Sequence, residues 1–389
     1  MPPALRYIFF GLMLLSTVSF AHTYLYRRLF RDTTSSEGRK RFGRWLMVGL
    51  AILLFVGIPA GRFLGGTIGG AMGWAAYIWM GCLLLFTSPL FAVDIIRFLH
   101  RRAPRKKAIE PNHERRQFIS RGVAAATVLG ASSAGAVGVN TALDDPELKK
   151  IDVQLTDMPD GLKGFRIVQL SDIHIGPTIK GDFLRSVVAR VNALKPDMVA
   201  ITGDLVDGTV EALGPHVAPL ADLKSTYGSF FVTGNHEYYS GADAWIAELT
   251  RHGIRVLRNE HVTLEHGGEK IDIVGVDDWR AKGFGKGHQH DPDKACLNRK
   301  AERKSIMLAH QPKSIHDAAR LQMDLVLSGH THGGQIWPFN LAVRLVQPYV
   351  SGLNKHSDRT WIYVHCGTGF WGPPMRVGVN AEIALLTLS

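Results

Sequence analysis

Several side chains in the second half of this 389-residue chain have the types and spacing of metal ligands. Asp172 and His174 stand in "SDIHIG", Asp204 and Asp207 in "GDLVDG", and Asn235 and His236 in "GNHEYY". His310 follows in "AHQP", and His330 and His332 in "GHTHGG". An isolated H-x-H is a weak signal, but five such clusters in one stretch are not. Mixed carboxylate, amide and imidazole donors suit Mn²⁺, Fe or Zn²⁺ better than a thiolate-seeking metal. Other histidines read as ordinary. His288 and His290 sit in a glycine-rich polar loop and read as solvated. His365 is packed in a strand or lines the mouth of a site, and "IWPF" (Ile336–Phe339) is core or a lipid-facing rim.

The elements that must position these groups are short and apolar. "FRIVQL" (Phe165–Leu170), "DMVAIT" (Asp197–Thr202), "SFFVT" (Ser229–Thr233), "SIML" (Ser305–Leu308) and "DLVLS" (Asp324–Ser328) read as buried strands, each ending in one of the clusters. Between the first two, Leu184, Val187, Val188, Val191 and Leu194 form one face of a helix. Strands alternating with helices predict a layered α/β arrangement, and strand ends emerging on one side can converge on a single site. In D-x-H and H-x-H, an extended backbone would point both side chains the same way.

The N-terminal part differs. Residues 1–150 carry 20 Lys and Arg against 8 Asp and Glu, whereas residues 151–389 carry 25 against 26. The whole-chain charge of +11 thus belongs to the first part, and the second needs no face for nucleic acid. Uncharged runs at Tyr7–Tyr26, Trp45–Gly61 and Phe63–Val93 are long enough to span a bilayer as helices, with "GGTIGG" near the start of the third as the turn. Arginine-rich segments at Arg27–Arg44 and Arg97–Arg121 flank them and, by the positive-inside rule, belong to the cytoplasm. A fourth run, Gly122–Leu143, is rich in Ala, Gly and Ser. The preceding "ERRQFISR" resembles a twin-arginine export signal, and "AGA" at Ala134–Ala136 resembles a cleavage site. If this run crosses, everything after it is extracytoplasmic; otherwise it is a linker or hinge. The three cysteines, Cys82, Cys296 and Cys366, form no C-x-x-C pair and allow at most one disulfide, between the last two.

From Leu162 to Ser389 the sequence resembles the calcineurin-like metallophosphoesterases, whose motifs D-x-H, G-D-x-x-D, G-N-H-[DE], H and G-H-x-H are all present in order. The multi-span leader, "GHTHGGQ" and "GTGFWGPPMR" (Gly367–Arg376) resemble the transmembrane branch of that family. The resemblance implies an α-helical membrane bundle over residues 1–143. An α/β (α+β) metallophosphoesterase sandwich, two packed sheets flanked by helices, would follow over 144–389. It implies two divalent metal ions: Asp172, His174 and His332 on the first, Asn235, His310 and His330 on the second, and Asp204 bridging both. His236 would be the general acid. Asp207 fits a residue that orients an imidazole, or a simple turn residue, and "GNHE" leaves the role of Glu237 open.

These readings predict a multi-pass protein of the plasma (inner) membrane with an extracytoplasmic domain that hydrolyses phosphoesters or pyrophosphates. Its partners would be the lipid bilayer and a phosphate- or pyrophosphate-containing substrate, with amphiphilic cell-envelope substrates favoured by the anchor and no nucleic acid expected. UDP-2,3-diacylglucosamine is a substrate class associated with some members, although that precursor is expected on the cytoplasmic face. The competing functions are a non-catalytic metal-binding membrane protein that keeps the fold, and a nuclease.

Overall fold

The computed structural model describes residues 3–64, 66–102 and 113–389. Gly65 of "GGTIGG" and Arg105, Lys106 and Lys107 of the second basic segment lie outside the described residues. The chain divides into two compact units. One is Met1–Asn140 with Gly372–Met375, and the other is Thr141–Trp371 with Arg376–Ser389.

The first unit contains three long helices, α1 (Pro3–Tyr26), α2 (Glu37–Phe63) and α3 (Gly66–Arg102), and all but the last turn of a fourth, α4 (His113–Leu143). All four are long and apolar enough to cross a membrane. The helices outrun the uncharged stretches because arginines continue them into the polar zone: α2 begins eight residues before Trp45, capped by Ser36, whose hydroxyl accepts from Arg39 N. Only the start of "GGTIGG" lies at the connection, where Gly66 opens α3 at φ 62°; Thr67–Gly70 already belong to that helix. Gly69 serves packing, as do Gly61 and Gly73 on either side of the motif. A Cβ on Gly69 would lie 2.9 Å from the Ala60 carbonyl oxygen, and one on Gly61 would lie 2.8 Å from Gly73 Cα, so α2 and α3 touch backbone to backbone. Polar groups inside the bundle are paired. Trp79 Nε1 donates to His22 Nε2 at 3.0 Å, and Tyr24 Oη donates to Asp94 at 2.8 Å.

The second unit is a two-sheet sandwich. Its strands are β1 (Glu147–Val153), β2 (Arg166–Leu170), β3 (Met198–Ile201), β4 (Ser229–Phe231), β5 (Arg255–Val256), β6 (Glu260–His266), β7 (Glu269–Gly275), β8 (Lys304–Leu308), β9 (Leu325–Ser328), β10 (Gly352–Lys355), β11 (Trp361–Val364) and β12 (Glu382–Leu388). One sheet has the order β1-β12-β2-β3-β4-β5 and the other β10-β11-β9-β8-β7-β6. In the first sheet β2, β3, β4 and β5 run parallel; in the second β7, β8, β9 and β11 do.

Period-2 alternation assigns each strand residue to a layer. Ile167, Ala200, Phe230, Ile306, Leu308, Leu325 and Leu327 meet between the sheets. Val168, Val199 and Ile201 point outward under Leu184, Val187 and Val191 of helix α5 (Gly181–Ala193), together with Trp245 and Leu249 of the helix Ala242–Arg251. Met307, Val326 and Ile362 pack outward on the second sheet under Ile315 and Ala318. Both faces of each sheet are therefore covered, which is why these strands read as continuous apolar runs. The cysteines are all free. Cys366 is buried against Gly333 while Cys296 packs on the outer layer of the second sheet, so the disulfide that their spacing allowed is not formed.

Candidate metal centre

The parallel strands β2, β3, β4, β8 and β9 end at the five clusters, and the side chains gather into three groups. Asp172, His174 and His332 form one, Asp204, His310 and His330 a second, and His174, Asp207 and His236 a third. Within each group, potential ligand atoms lie within 4.8 Å of one another.

The gathering does not use an extended backbone. Asp172, His174, Asp204, His330 and His332 all have positive φ, between 50° and 72°. The sequence expectation of i and i+2 side chains sharing one pleat face is thus corrected: after β2, β3 and β9 the chain makes left-handed turns, and these aim the side chains inward. Such conformations are costly for residues with a Cβ and persist where the surroundings impose them. Here the backbone is tied down. Asp172 N donates to Gly203 O at 3.0 Å and His174 N to Asp204 O at 3.1 Å, while His330 N donates to both oxygens of the Asp172 carboxylate at 3.0 Å. Gly234 and Gly329 are required by close approach: a Cβ on either would collide with the Asp204 or Asp172 carboxylate.

Imidazole orientation follows from the second nitrogen of each ring. His174 Nδ1 lies 3.1 Å from Asp207 Oδ2, so the proton sits on Nδ1 and Nε2 presents a lone pair. That lone pair faces His332 Nε2 at 3.1 Å, with Asp172 Oδ1 3.4 Å from the same His332 nitrogen. His310 Nδ1 faces the Thr202 carbonyl at 2.8 Å, which turns its Nε2 toward Asp204 Oδ2 at 3.1 Å and His330 Nδ1 at 3.2 Å. Lone pairs aimed at one another and at a carboxylate oxygen repel unless a cation or proton lies among them. Asn235 Oδ1 is buried with no hydrogen-bond partner among the described residues. An orphaned amide oxygen beside converging imidazoles is the donor set that a divalent cation satisfies.

The electrostatics carry the same imprint. Burial opposes charge on His310, but the Asp204 carboxylate outweighs it and holds the imidazole pKa well above its usual value. Burial, then the neighbouring His310, pushes His330 down to about 3; burial and His174 push His332 down as well. Burial would raise the carboxyl pKa of Asp204 and Asp207, but facing imidazoles hold both low. His236 Nδ1 lies 2.5 Å from Asp207 Oδ1. Burial works against its charge, yet Asp204 and Asp207 raise its pKa to about 9. Asp207 therefore orients two rings, His174 and His236, and is more than a turn residue.

Glu237, which the motif left without a role, is fully buried. Its carboxylate accepts from Gly234 N at 2.6 Å, Asp204 N at 3.0 Å and Leu205 N at 2.8 Å, tying the loop that carries Asp204 to the start of the helix Asn235–Ser240. Burial and Asp204 push its pKa up to about 7, against the pull of these donors. Arg376 was not singled out by spacing. It is fully buried, and its guanidinium donates to the carbonyls of Cys366, Gly367 and Gly369. That loop in turn bonds back to the first motif, Thr368 N to Ser171 O at 2.8 Å and Gly369 N to Asp172 O at 3.1 Å. The only sequence signal for Arg376 was its place in the late glycine-rich motif.

The remaining histidines fall outside these groups. His288 and His290 are half-buried rather than solvated, because Arg258 donates to the first and the second bonds Asp277 O and Asp317. His365 is fully buried and accepts from Gly367 N, which makes it a packed residue. "IWPF" divides: Ile336 is buried, whereas Trp337 and Phe339 are exposed. Trp371 and Tyr239, each about half exposed, place their rings 5.9 and 5.2 Å from the His236 ring.

A two-sheet sandwich with carboxylate, amide and imidazole groups at its strand ends defines a metal-dependent phosphoesterase domain. The sequence model of the Calcineurin-like phosphoesterase family matches residues 165–334. A "Transmembrane protein with metallophosphoesterase domain" of Danio rerio is 34% identical over 325 residues, covering 81% of this chain and 74% of that one. An uncharacterized metallophosphoesterase of Helicobacter pylori is 43% identical over 255 residues, covering 64% of this chain and 66% of its own length, just under two thirds. The uncharacterized metallophosphoesterase YkuE of Bacillus subtilis is 32% identical over 288 residues, 70% of this chain and 97% of that one. The chain belongs to the calcineurin-like phosphoesterases, and its span-length helices make it a membrane protein of that family. The family uses a dinuclear divalent metal site, for which the His and Asp clusters are present.

Glu237→Ala would leave three buried N–H groups without their acceptor, at about 1–3 kcal/mol each. At roughly 2–4 °C per kcal/mol for a domain of this size, the melting temperature should drop by at least several degrees, and by less in Glu237→Gln, which keeps a carbonyl oxygen. Unchanged melting in Glu237→Ala would show that these bonds do not hold the loop.

Proposed function

We propose that the protein is a membrane-anchored hydrolase of phosphoesters or pyrophosphates that uses two metal ions. Its domain of residues 144–389 would follow a membrane region of residues 1–143. The observation that carries this reading is the position of Asp204 Oδ2, 3.1 Å from His310 and 3.9 Å from both His174 and His236. One oxygen between imidazoles of all three groups suits a carboxylate shared by two cations. Asp172, His174 and His332 would hold one ion, and Asn235, His310 and His330 the other, with Mn²⁺, Fe or Zn²⁺ suited to these donors. When bound, such a pair supplies Lewis-acid charge that polarises phosphoryl oxygens and activates water.

The protein's own groups supply the rest. With Nδ1 held by Asp207, His236 keeps Nε2, 3.9 Å from Asp204 Oδ2, free to carry the proton that a leaving oxygen needs. His236 N also donates to Asp204 Oδ1 at 2.8 Å, so the proton donor and the shared carboxylate are fixed to one another. An amphiphilic substrate of the cell envelope is supported by the half-exposed Trp371 and Tyr239 beside His236 and by exposed Trp337, Phe339, Leu341 and Leu345 just after the metal-binding turn. UDP-2,3-diacylglucosamine is one candidate of that chemistry. The basic segments support a plasma (inner) membrane protein whose fourth helix crosses, with the domain outside the cytoplasm.

Purified protein should hydrolyse a bis-aryl phosphodiester with Mn²⁺ and stop on chelation. Asp204→Asn should lose both activity and metal, measured by elemental analysis; full activity with unchanged metal would overturn the shared-carboxylate assignment. His236→Ala should keep its metal and turn over about 10²–10⁴-fold more slowly, most for poor leaving groups. Metal loss in that variant would mark His236 as a ligand instead.

Reporters fused after Ser389 test the topology. A reporter active only outside the cytoplasm agrees with four spans. Activity only inside would make Gly122–Leu143 a hinge and raise UDP-2,3-diacylglucosamine to the leading substrate.

A further inference from the structure

Between α1 and α2 runs a groove of about 350 Å³. One wall is Leu15, Thr23 and Tyr26 of α1, and the other includes Ala51 and Phe55 of α2, with Arg44 at the end where the basic segment begins. Arg44 lies over the Tyr26 ring, its guanidinium carbon 5.9 Å from the centroid. Some neighbouring cations are already paired. Arg28 pairs with Asp94 and Asp32, Arg31 with Asp32, and Lys40 with Glu37. Arg44 has no carboxylate partner among the described residues.

Length identifies the occupant. From Arg44 to Phe55 is eleven residues of helix, or about 16 Å at 1.5 Å each. Half of a hydrocarbon core about 30 Å thick is about 15 Å. The groove is thus one leaflet deep, apolar along α2 with Ser19, His22 and Thr23 interspersed on α1, and headed by an unpaired guanidinium at the depth where lipid phosphates lie. A guanidinium presents a fork of N–H donors that matches phosphate oxygens, and the surrounding excess of basic residues favours net negative charge.

We propose that the α1–α2 groove is a specific site for an anionic glycerophospholipid, with its phosphate on Arg44 and one acyl chain along Ala51 and Phe55. This site is independent of the metal centre, and its occupant is a resident lipid, not the hydrolysed substrate.

The full chain, delipidated in detergent, would be titrated by native mass spectrometry with phosphatidylglycerol, phosphatidylcholine of the same acyl chains, and free glycerol phosphate. Phosphatidylglycerol should bind about fivefold more tightly than phosphatidylcholine, the size expected for one basic residue at the headgroup. Arg44→Ala should abolish that preference, and Ala51→Phe, which fills the groove, should weaken both lipids. Arg27→Ala, an exposed arginine outside the groove, should leave binding unchanged. Thermal melting of each variant separates misfolding from lost binding, and Arg44→Lys, which keeps the charge, should retain part of the preference. Equal binding of the two lipids, wild-type binding in both Arg44→Ala and Ala51→Phe, or free glycerol phosphate binding as tightly as the lipid would each overturn the proposal.

Discussion

Much of the catalytic unit depends on one buried carboxylate. Asp204 has almost no solvent exposure, yet its two oxygens do different work. Oδ1 accepts from His236 N, while Oδ2 faces imidazoles from three separate chain segments. A carboxylate buried with unpaired histidines would be strongly disfavoured, because desolvation of an ion exceeds what weakly polar neighbours return. The arrangement is therefore built around positive charge. A proton on His236 supplies some of it, and the divalent pair used by this family supplies more. The same requirement explains why Asp204 is flanked by glycines: nothing larger than a hydrogen fits between Gly234 and this carboxylate.

The sandwich makes such a cluster affordable by separating rigidity from chemistry. Between the sheets, Ile167, Phe230, Leu308 and Leu327 fix the strands in a dry core. The strands then stop, and every unusual backbone conformation of the site lies in the residues just past them. Positive φ at Asp172, Asp204, His330 and His332 would be hard to maintain in a free loop. Glu237 imposes it on one side by collecting three N–H groups, and Arg376 on the other by collecting carbonyls from the 366–369 loop. One acidic and one basic side chain thus hold the two halves of the site, and each does so through the backbone.

That division also explains what could be read in the sequence. The chemistry-bearing side chains were legible because their types are rare in buried strands and recur at five strand ends. The layered α/β order was legible from the apolar runs, and the spans from their length and lack of charge. The left-handed turns were not, since Asp172 and His174 look like a continuation of β2 and only contacts across the sheet, such as Gly203 O to Asp172 N, reveal the turn. Glu237 and Arg376 were illegible for a related reason. Their partners are backbone groups of distant segments, and backbone groups leave no residue type to recognise. "GGTIGG" carries both signals of glycine: Gly66, at positive φ, opens α3 at the connection, whereas Gly69 lets α3 approach α2.

The membrane unit follows a similar economy of polar groups. His22 has both ring nitrogens engaged, Nδ1 with Val18 O at 2.8 Å and Nε2 with the Trp79 indole at 3.0 Å. An indole can only donate, so Nε2 must accept and the proton lies on Nδ1; the ring is held neutral in a single tautomer. A histidine so held adds no charge to a span that otherwise carries none, which is why the run from Tyr7 to Tyr26 can contain one. The cost of a polar group in hydrocarbon is met by a partner on another helix, and the same pairing locks α1 against α3. Tyr24 and Asp94 repeat the device nearer the basic end, with Arg28 closing the charge. Arg44 stands outside such pairs, and the lipid phosphate proposed for the α1–α2 groove would complete the pattern.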